Sequence, residues 1–212
     1  MQNQIITITD KHRAAAQLIF DRVILEQTPK YIVTVTGEVG TGKSTISYLL
    51  AKLLKDYGSR VKIMDLDNYY KVPPIDRKEW RQKHGLQHVG SDEYDWNKIY
   101  KNIEDFKQSK VATMPLVDLL TDYVDTLTTD FSGVDLLIIK GLYSIKCKES
   151  KLRVFIELSY KEAMEQNIFE STEKTDDYRI EILKKEQEVV QNLKKEANFF
   201  IDFNTSNEIF HL

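Results

Sequence analysis

With 212 residues, 42% of them hydrophobic and 30% charged, the chain can bury one sizeable core, and its composition excludes a disordered polymer. A net charge of −3 gives no electrostatic case for nucleic acid as a partner. The longest aliphatic run, Leu136 to Ile139, falls far short of the ~20 residues that cross a membrane, and the start MQNQIITITD has no basic segment leading into an apolar one, so no membrane partner and a cytoplasmic protein are expected. Cys147 is the sole cysteine and allows neither an intramolecular disulfide nor a thiolate metal site; it reads as a bystander.

Residues 4–9 alternate weakly as a short strand, and Asp10 is placed to cap a helix that runs to about Gln27 on a stripe of Ala16, Phe20, Val23 and Ile24. Residues 1–30 thus form an extension that either packs on the core or joins copies in a homo-oligomer; the pattern does not choose. Tyr31 onward is a β-branched strand, followed by glycines and then Ile46, Leu49, Leu50, Leu53 and Leu54 at helical spacing until Gly58. A second strand from Val61 ends in DLDNYY, which puts Asp65, Asp67, Tyr69 and Tyr70 at the ligand-facing end of an open sheet.

Residues 71–133 read as an excursion. It holds one short helix around Arg77 to Lys83, and His84 and His88 sit four apart but with no third metal ligand nearby, so they are expected to be solvated. A helix follows, started by Asp95 or Asp92 and faced by Trp96, Ile99, Ile103 and Phe106. The stretch Val111 to Val117, interrupted by Pro115, suits an edge strand, and Asp118 to Gly133 completes a small hairpin or loop beside the main sheet. Leu136 to Ile139 is a fully apolar strand ending in Lys140 and Gly141. Val154 to Leu158 is another, followed by a helix from Lys161 to Phe169, a polar break from Glu170 to Asp177, a helix to about Glu196 with Ile180, Leu183, Val190, Leu193 and Ala197 buried, and a strand from Phe199 to Phe203. Strands alternating with helices predict an α/β fold, a five-stranded parallel sheet with helices on both faces and a small lateral excursion, in one domain spanning residues 1–212.

The stretch YIVTVTGEVGTGKST fits G-x-x-x-x-G-K-[ST] through Gly37, Gly42, Lys43 and Ser44. Consecutive backbone N–H groups can turn inward on one phosphate chain only where Cβ atoms are missing, and Gly37, Gly40 and Gly42 supply those positions. Thr41 and Thr45 complete the loop. The helix that opens at Lys43 adds unpaired N–H groups and the positive end of its dipole, the Lys43 ammonium can reach the β- and γ-phosphates, and the Ser44 hydroxyl can ligate Mg²⁺. These residues predict a bound phosphate chain with Mg²⁺.

At four places the chain resembles the uridine kinase and phosphoribulokinase group of small-molecule P-loop kinases: the phosphate loop, Asp67-Asn-Tyr-Tyr-Lys71, the stretch DEYDWNKIYKNIEDFKQSKVATMPLVD, and IIKGLY. The resemblance covers about residues 31 to 203 and implies the P-loop NTPase fold and an ATP-dependent kinase acting on a small-molecule acceptor. It implies catalytic roles for Lys43 and for Asp67, the latter as general base toward the acceptor hydroxyl, and an acceptor pocket lined by Tyr70 and Asp92. The competing role for Asp67 is a solvated or capping acid, and for Asp92 a helix cap.

The departures are specific. Val117 and Asp122 stand where uridine kinases carry ring-holding tyrosine and histidine. The arginine-rich lid of those kinases is matched by QNIFESTEKTDDYR, whose only cations are Lys174 and Arg179, so Arg179 is the expected substrate contact there. Lys140 replaces a metal-holding glutamate, which leaves Asp65 or Asp67 for that duty, and Asp65 is the expected ligand. These departures keep a second reading open, a nucleotide-binding regulatory or scaffolding relative with little turnover.

Overall fold

A computed structural model describes residues 8–118, 120–166, 169 and 175–203. The first element, α1 (Asp10–Glu26), is capped by Thr9, one residue before the expected Asp10. The Thr9 hydroxyl accepts the His12 N–H while the Thr9 N–H is returned to His12 Nδ1, a reciprocal capping pair, and Asp10 lies instead in the first turn, where its charge complements the helix dipole. Strand β1 (Tyr31–Thr36) is buried along its whole length, α2 (Lys43–Asp56) follows the glycine loop, and β2 (Val61–Asp65) ends in a 3-10 turn over Leu66–Tyr69.

Helix α3 (Pro74–His84) begins three residues earlier than its pattern suggests, because Pro74 sits at the first helical position, where its fixed φ and missing N–H cost nothing. After α4 (Trp96–Lys107, capped by Asp95) come β3 (Val111–Val117) and β4 (Val124–Asp130), an antiparallel ribbon of its own with Pro115 opposite Thr126. Then follow β5 (Leu136–Lys140), β6 (Leu152–Ile156), α5 (Tyr160–Glu165), α6 (Asp177–Leu193) and β7 (Phe199–Ile201). β6, β7 and α5 are displaced or shortened by a few residues from expectation. Ile180 faces solvent in the first turn of α6, and Ile182, Leu183 and Val190 are the buried positions. The expected strand at residues 4–9 falls mostly outside the described residues, as do Lys174 and most of the break before α6.

The five parallel strands lie in the order β2-β5-β1-β6-β7. The period of two splits the apolar strands between the two faces: Leu136 and Ile138 pack with α1 and α2, through Ala16, Ile19, Ile46 and Leu50, whereas Leu137 and Ile139 pack with α4, through Ile99, Ile103 and Phe106. β1 therefore delivers the glycine loop at mid-sheet. β2 delivers Asp65 and Asp67 on one flank and β7 delivers Phe203 on the other. Among the described residues no helix is long and apolar enough to cross a membrane.

Candidate active site

Gly40 and Gly42 have φ of 72° and 79°, left-handed values that disfavour any side chain, and Gly42 occupies the N-cap of α2 without a side-chain cap. The first turn of α2 is thus left facing the loop with its own N–H groups. Gly37 has a different reason: a Cβ there would stand 3.0 Å from the Ile156 side chain at the end of β6. Thr41 Oγ1 donates to the Glu38 carbonyl at 2.9 Å, and Lys43 Nζ donates to the same oxygen. Thr45 Oγ1 is buried with no partner among the described residues, an orphaned hydroxyl on the first turn of α2 that fits a phosphate oxygen. Ser44 is exposed at the mouth.

Glu38, which the sequence pattern leaves as a variable position, pins this loop. Its buried carboxylate accepts from the Tyr160 N–H at 2.9 Å, from Gln187 Nε2 at 2.9 Å and from Gln191 Nε2 at 2.6 Å. The loop is thereby tied to α5 and α6. Two more side chains close in on it: a Cβ at Gly42 would meet His12 Nε2 at 2.3 Å, and one at Gly40 would meet the Phe169 ring at 2.2 Å. His12 is 1% exposed, burial keeps its pKa down, and its Nε2 has no partner among the described residues. Because Nδ1 accepts from Thr9, the proton belongs on Nε2. No local pattern marks His12 or Phe169, since both reach the loop from distant segments.

Across the loop mouth, Asp65 Oδ1 accepts the Asp67 N–H at 3.1 Å, an aspartate turn that sets Asp67 on an exposed ledge. The Tyr94 hydroxyl lies 3.4 Å from Asp67 Oδ1, and Tyr94 meets Tyr70 edge to face at 4.5 Å, with the Arg77 guanidinium 3.6 Å above the Tyr70 ring. Beside this group is a cavity of about 200 Å³ lined by Tyr70, Lys71, Val72, Trp80, His88, Asp92 and Glu93. Tyr70 and Asp92 both line this cavity.

Beneath the cavity Arg81, 4% exposed, binds Glu93 through two hydrogen bonds of 2.7 and 3.0 Å and Glu186 of α6 at 3.1 Å. Burial opposes its charge, but Glu93 and Glu186 hold its pKa above the usual arginine value. Arg179, expected at the substrate, is 8% exposed and directs Nη1 to Glu186 at 3.2 Å. It belongs to this buried network, because Arg179 and Glu186 lie on the buried side of α6, and it does not line the cavity. Val117 gives its N–H to Asn68 Oδ1 at 3.0 Å, and Asp122 sits at φ 58° in the hairpin turn. His84 and His88 are exposed and form an aromatic group with Trp80. Cys147 is buried, and burial, with Glu149 nearby, pushes its thiol up to about 12, in keeping with an inert role.

Lys140 leaves the end of β5 opposite Asp65 and puts Nζ 2.5 Å from Asp65 Oδ2. Burial raises the Asp65 pKa, with Asp67 adding to the rise and Lys140 opposing it. Burial lowers Lys43 to about 8, against the attraction of Asp67 and with further lowering from Lys140. Asp65, expected to ligate a metal, is thus held by an ammonium. Ser44 remains available for a cation, but no group of three or more His, Cys, Asp or Glu side chains able to hold a metal ion exists among the described residues. The residues fit a triphosphate and fit Mg²⁺ poorly at Asp65.

The family model of the phosphoribulokinase / uridine kinase family matches residues 32–168, more than half of the chain. The chain belongs to this family. Among its relatives, a uridine kinase of Mycoplasma genitalium is 28% identical over 141 residues, which span 63% of this chain and 63% of that protein. A uridine kinase of Ureaplasma parvum is 24% identical over 191 residues, spanning 84% of this chain and 90% of the relative. The fold matches a structure described as a possible uridine kinase from Bacillus stearothermophilus, with a TM-score of 0.61, 19% identity and coverage of 90% of this chain and 98% of that one. It also matches phosphoribulokinase from Rhodobacter spheroides, with a TM-score of 0.60, 12% identity and coverage of 82% and 70%. Family membership makes this a small-molecule kinase of the P-loop type, which implies use of ATP. At these identities the structures speak for the fold alone.

Proposed function

We propose that this protein transfers the γ-phosphoryl group of ATP to a hydroxyl of a small metabolite, with Asp67 as general base. The observation that carries this reading is the contact of Asp67 with the aromatic group beside the cavity. Its charge attracts the Lys43 ammonium, and its carboxylate lies 3.4 Å from Tyr94, whose ring packs on the cavity-lining Tyr70. The acceptor oxygen attacks the γ-phosphorus as the bond to ADP breaks, and the hydroxyl proton passes to Asp67; such a base contributes about 10²–10⁴ in rate. Gly37 through Thr45 hold the phosphate chain, and Tyr70 and Asp92 bound the acceptor. When Mg²⁺ accompanies ATP it shields phosphate charge, and the Ser44 hydroxyl is the ligand this chain offers it.

The acceptor is read as something other than uridine, since Val117 and Asp122 stand at the positions of the ring-holding tyrosine and histidine and neither lines the cavity. A second reading, a nucleotide binder with little turnover, is favoured by one observation, the Lys140–Asp65 pair at the expected metal position. ATP consumption measured against nucleosides, sugar phosphates and small alcohols separates the two. Acceptor-dependent ADP formation supports the kinase, ATP binding without it supports the binder, and absence of both rejects each.

A further inference from the structure

Lys140 is held in place from several sides. Its register partners are Val35 on β1 and Asp65 on β2, so its Cα is fixed between the loop-bearing strand and the strand that carries the acidic ledge. The side chain is 12% exposed, Nζ is 2.5 Å from Asp65 Oδ2, and Asp65 is itself fixed by the Asp67 N–H. Burial disfavours its charge, yet Asp65 and Asp67 more than offset this and keep its pKa above the usual lysine value. Lys43, by contrast, is weakened as a cation by burial and by Lys140 itself. The geometry therefore sets Lys140 against the Asp65–Asp67 turn, on the strand beside the one that carries the phosphate loop.

We propose that Lys140 is a resident phosphate-binding cation, which contacts the terminal phosphate of a nucleoside triphosphate where a divalent ion would otherwise bridge, so that the metal-free triphosphate binds nearly as well as its Mg²⁺ complex. This rests on reading the loop as a nucleotide site. Two physical reasons support it. Mg²⁺ demands a near-octahedral set of oxygens, and Asp65 Oδ2 already accepts from an ammonium. An ammonium and a divalent cation crowded beside one phosphate chain repel each other, whereas the ammonium alone is a compact phosphate binder of the kind lysine commonly supplies.

Calorimetric titration of the full chain with ATP, once in excess Mg²⁺ and once in EDTA, tests this without any variant: the two dissociation constants are expected to agree within about threefold. In Lys140→Glu, affinity in EDTA should fall at least about tenfold below that in Mg²⁺. Lys140→Gln, which removes the charge without adding a carboxylate, should bind ATP in EDTA about tenfold more weakly than the wild type. Thermal melts establish that each variant is folded. A wild-type loss of tenfold or more on chelation overturns the proposal, as do variants that keep the wild-type ratio. If folded wild-type protein binds ATP in neither buffer, the nucleotide reading itself fails and the role of Lys140 falls with it, a result distinct from metal-dependent binding.

Discussion

The phosphate loop and the cavity beside Tyr70 are made of different material. The loop is nine consecutive residues whose working groups are backbone N–H donors, a lysine and two hydroxyls, shaped by the positive φ of Gly40 and Gly42. The cavity is assembled from side chains of residues 70–93, and its base is a buried network in which Arg81 joins Glu93 to Glu186 across more than ninety residues of chain. The backbone site is anchored to α5 and α6 through the Glu38 side chain. A side-chain site depends on each partner being present, since a buried ion left alone is costly.

That contrast can be tested from the largest effect downward. Lys43→Ala should abolish turnover and weaken ATP binding by about 10–100-fold, the worth of a charge-assisted hydrogen bond, with the melting temperature little changed. Equal ATP affinity in calorimetric titrations of the two proteins would remove Lys43 from the nucleotide. On the other side, Asp67→Asn should lower kcat by about 10²–10⁴, or roughly 3–5 kcal/mol of barrier, at nearly constant ATP affinity. A normal kcat returns Asp67 to the part of a turn-forming acid.

Arg81→Met should cost about 3–5 kcal/mol of stability by stranding Glu93 and Glu186, whereas Lys78→Ala, which breaks the exposed pair with Asp176, should cost less than about 1 kcal/mol. Denaturant melts of both variants make the comparison, and equal midpoints would show the cavity floor to be far more tolerant than its burial implies.

The smallest effect expected is in pH. Lys43 falls from 10.5 to about 8 on folding. The unfolded chain therefore binds more protons than the folded one between these values, and this group's contribution to stability rises with pH across that window. Nucleotide binding responds in the opposite sense. Phosphate favours the ammonium, so above pH 8 binding takes up a proton and ATP affinity should decline, by at most about tenfold per unit, while remaining flat below about pH 7. Calorimetry in two buffers of different ionisation heat reads the proton uptake directly. Lys43→Arg should flatten the profile, and a persistent slope in that variant would assign the titration to another group.

Much of the fold was legible because its causes are local. The all-buried β1, the alternating faces of β5 and the helical spacing of Ile99, Ile103 and Phe106 follow from periods of 2 and 3.6, and they yield the five parallel strands and both helical layers. The errors were local competitions as well. Thr9 took the cap from Asp10 because its hydroxyl pairs with His12, and Pro74 started α3 where charge composition suggested loop.

By itself the sequence determined the loop, because a phosphate cradle built from contiguous backbone needs only the right glycines, a lysine and a hydroxyl in the right order. It also placed Asp65, Asp67 and Lys140 at strand ends, since strand length and alternation fix where a chain leaves a sheet. Only the tertiary structure decided what those groups do to one another. Asp65 and Lys140 are separated by 75 positions and meet because β2 and β5 are neighbours in the sheet. Arg179 turned from a lid cation into a partner of Glu186, Glu38 became the anchor of the loop on α6, and His12 came to lie against Gly42. Each of these is a contact between side chains remote in sequence, and such contacts are set by the packing of helices on the sheet, about which short-range periodicity carries no information.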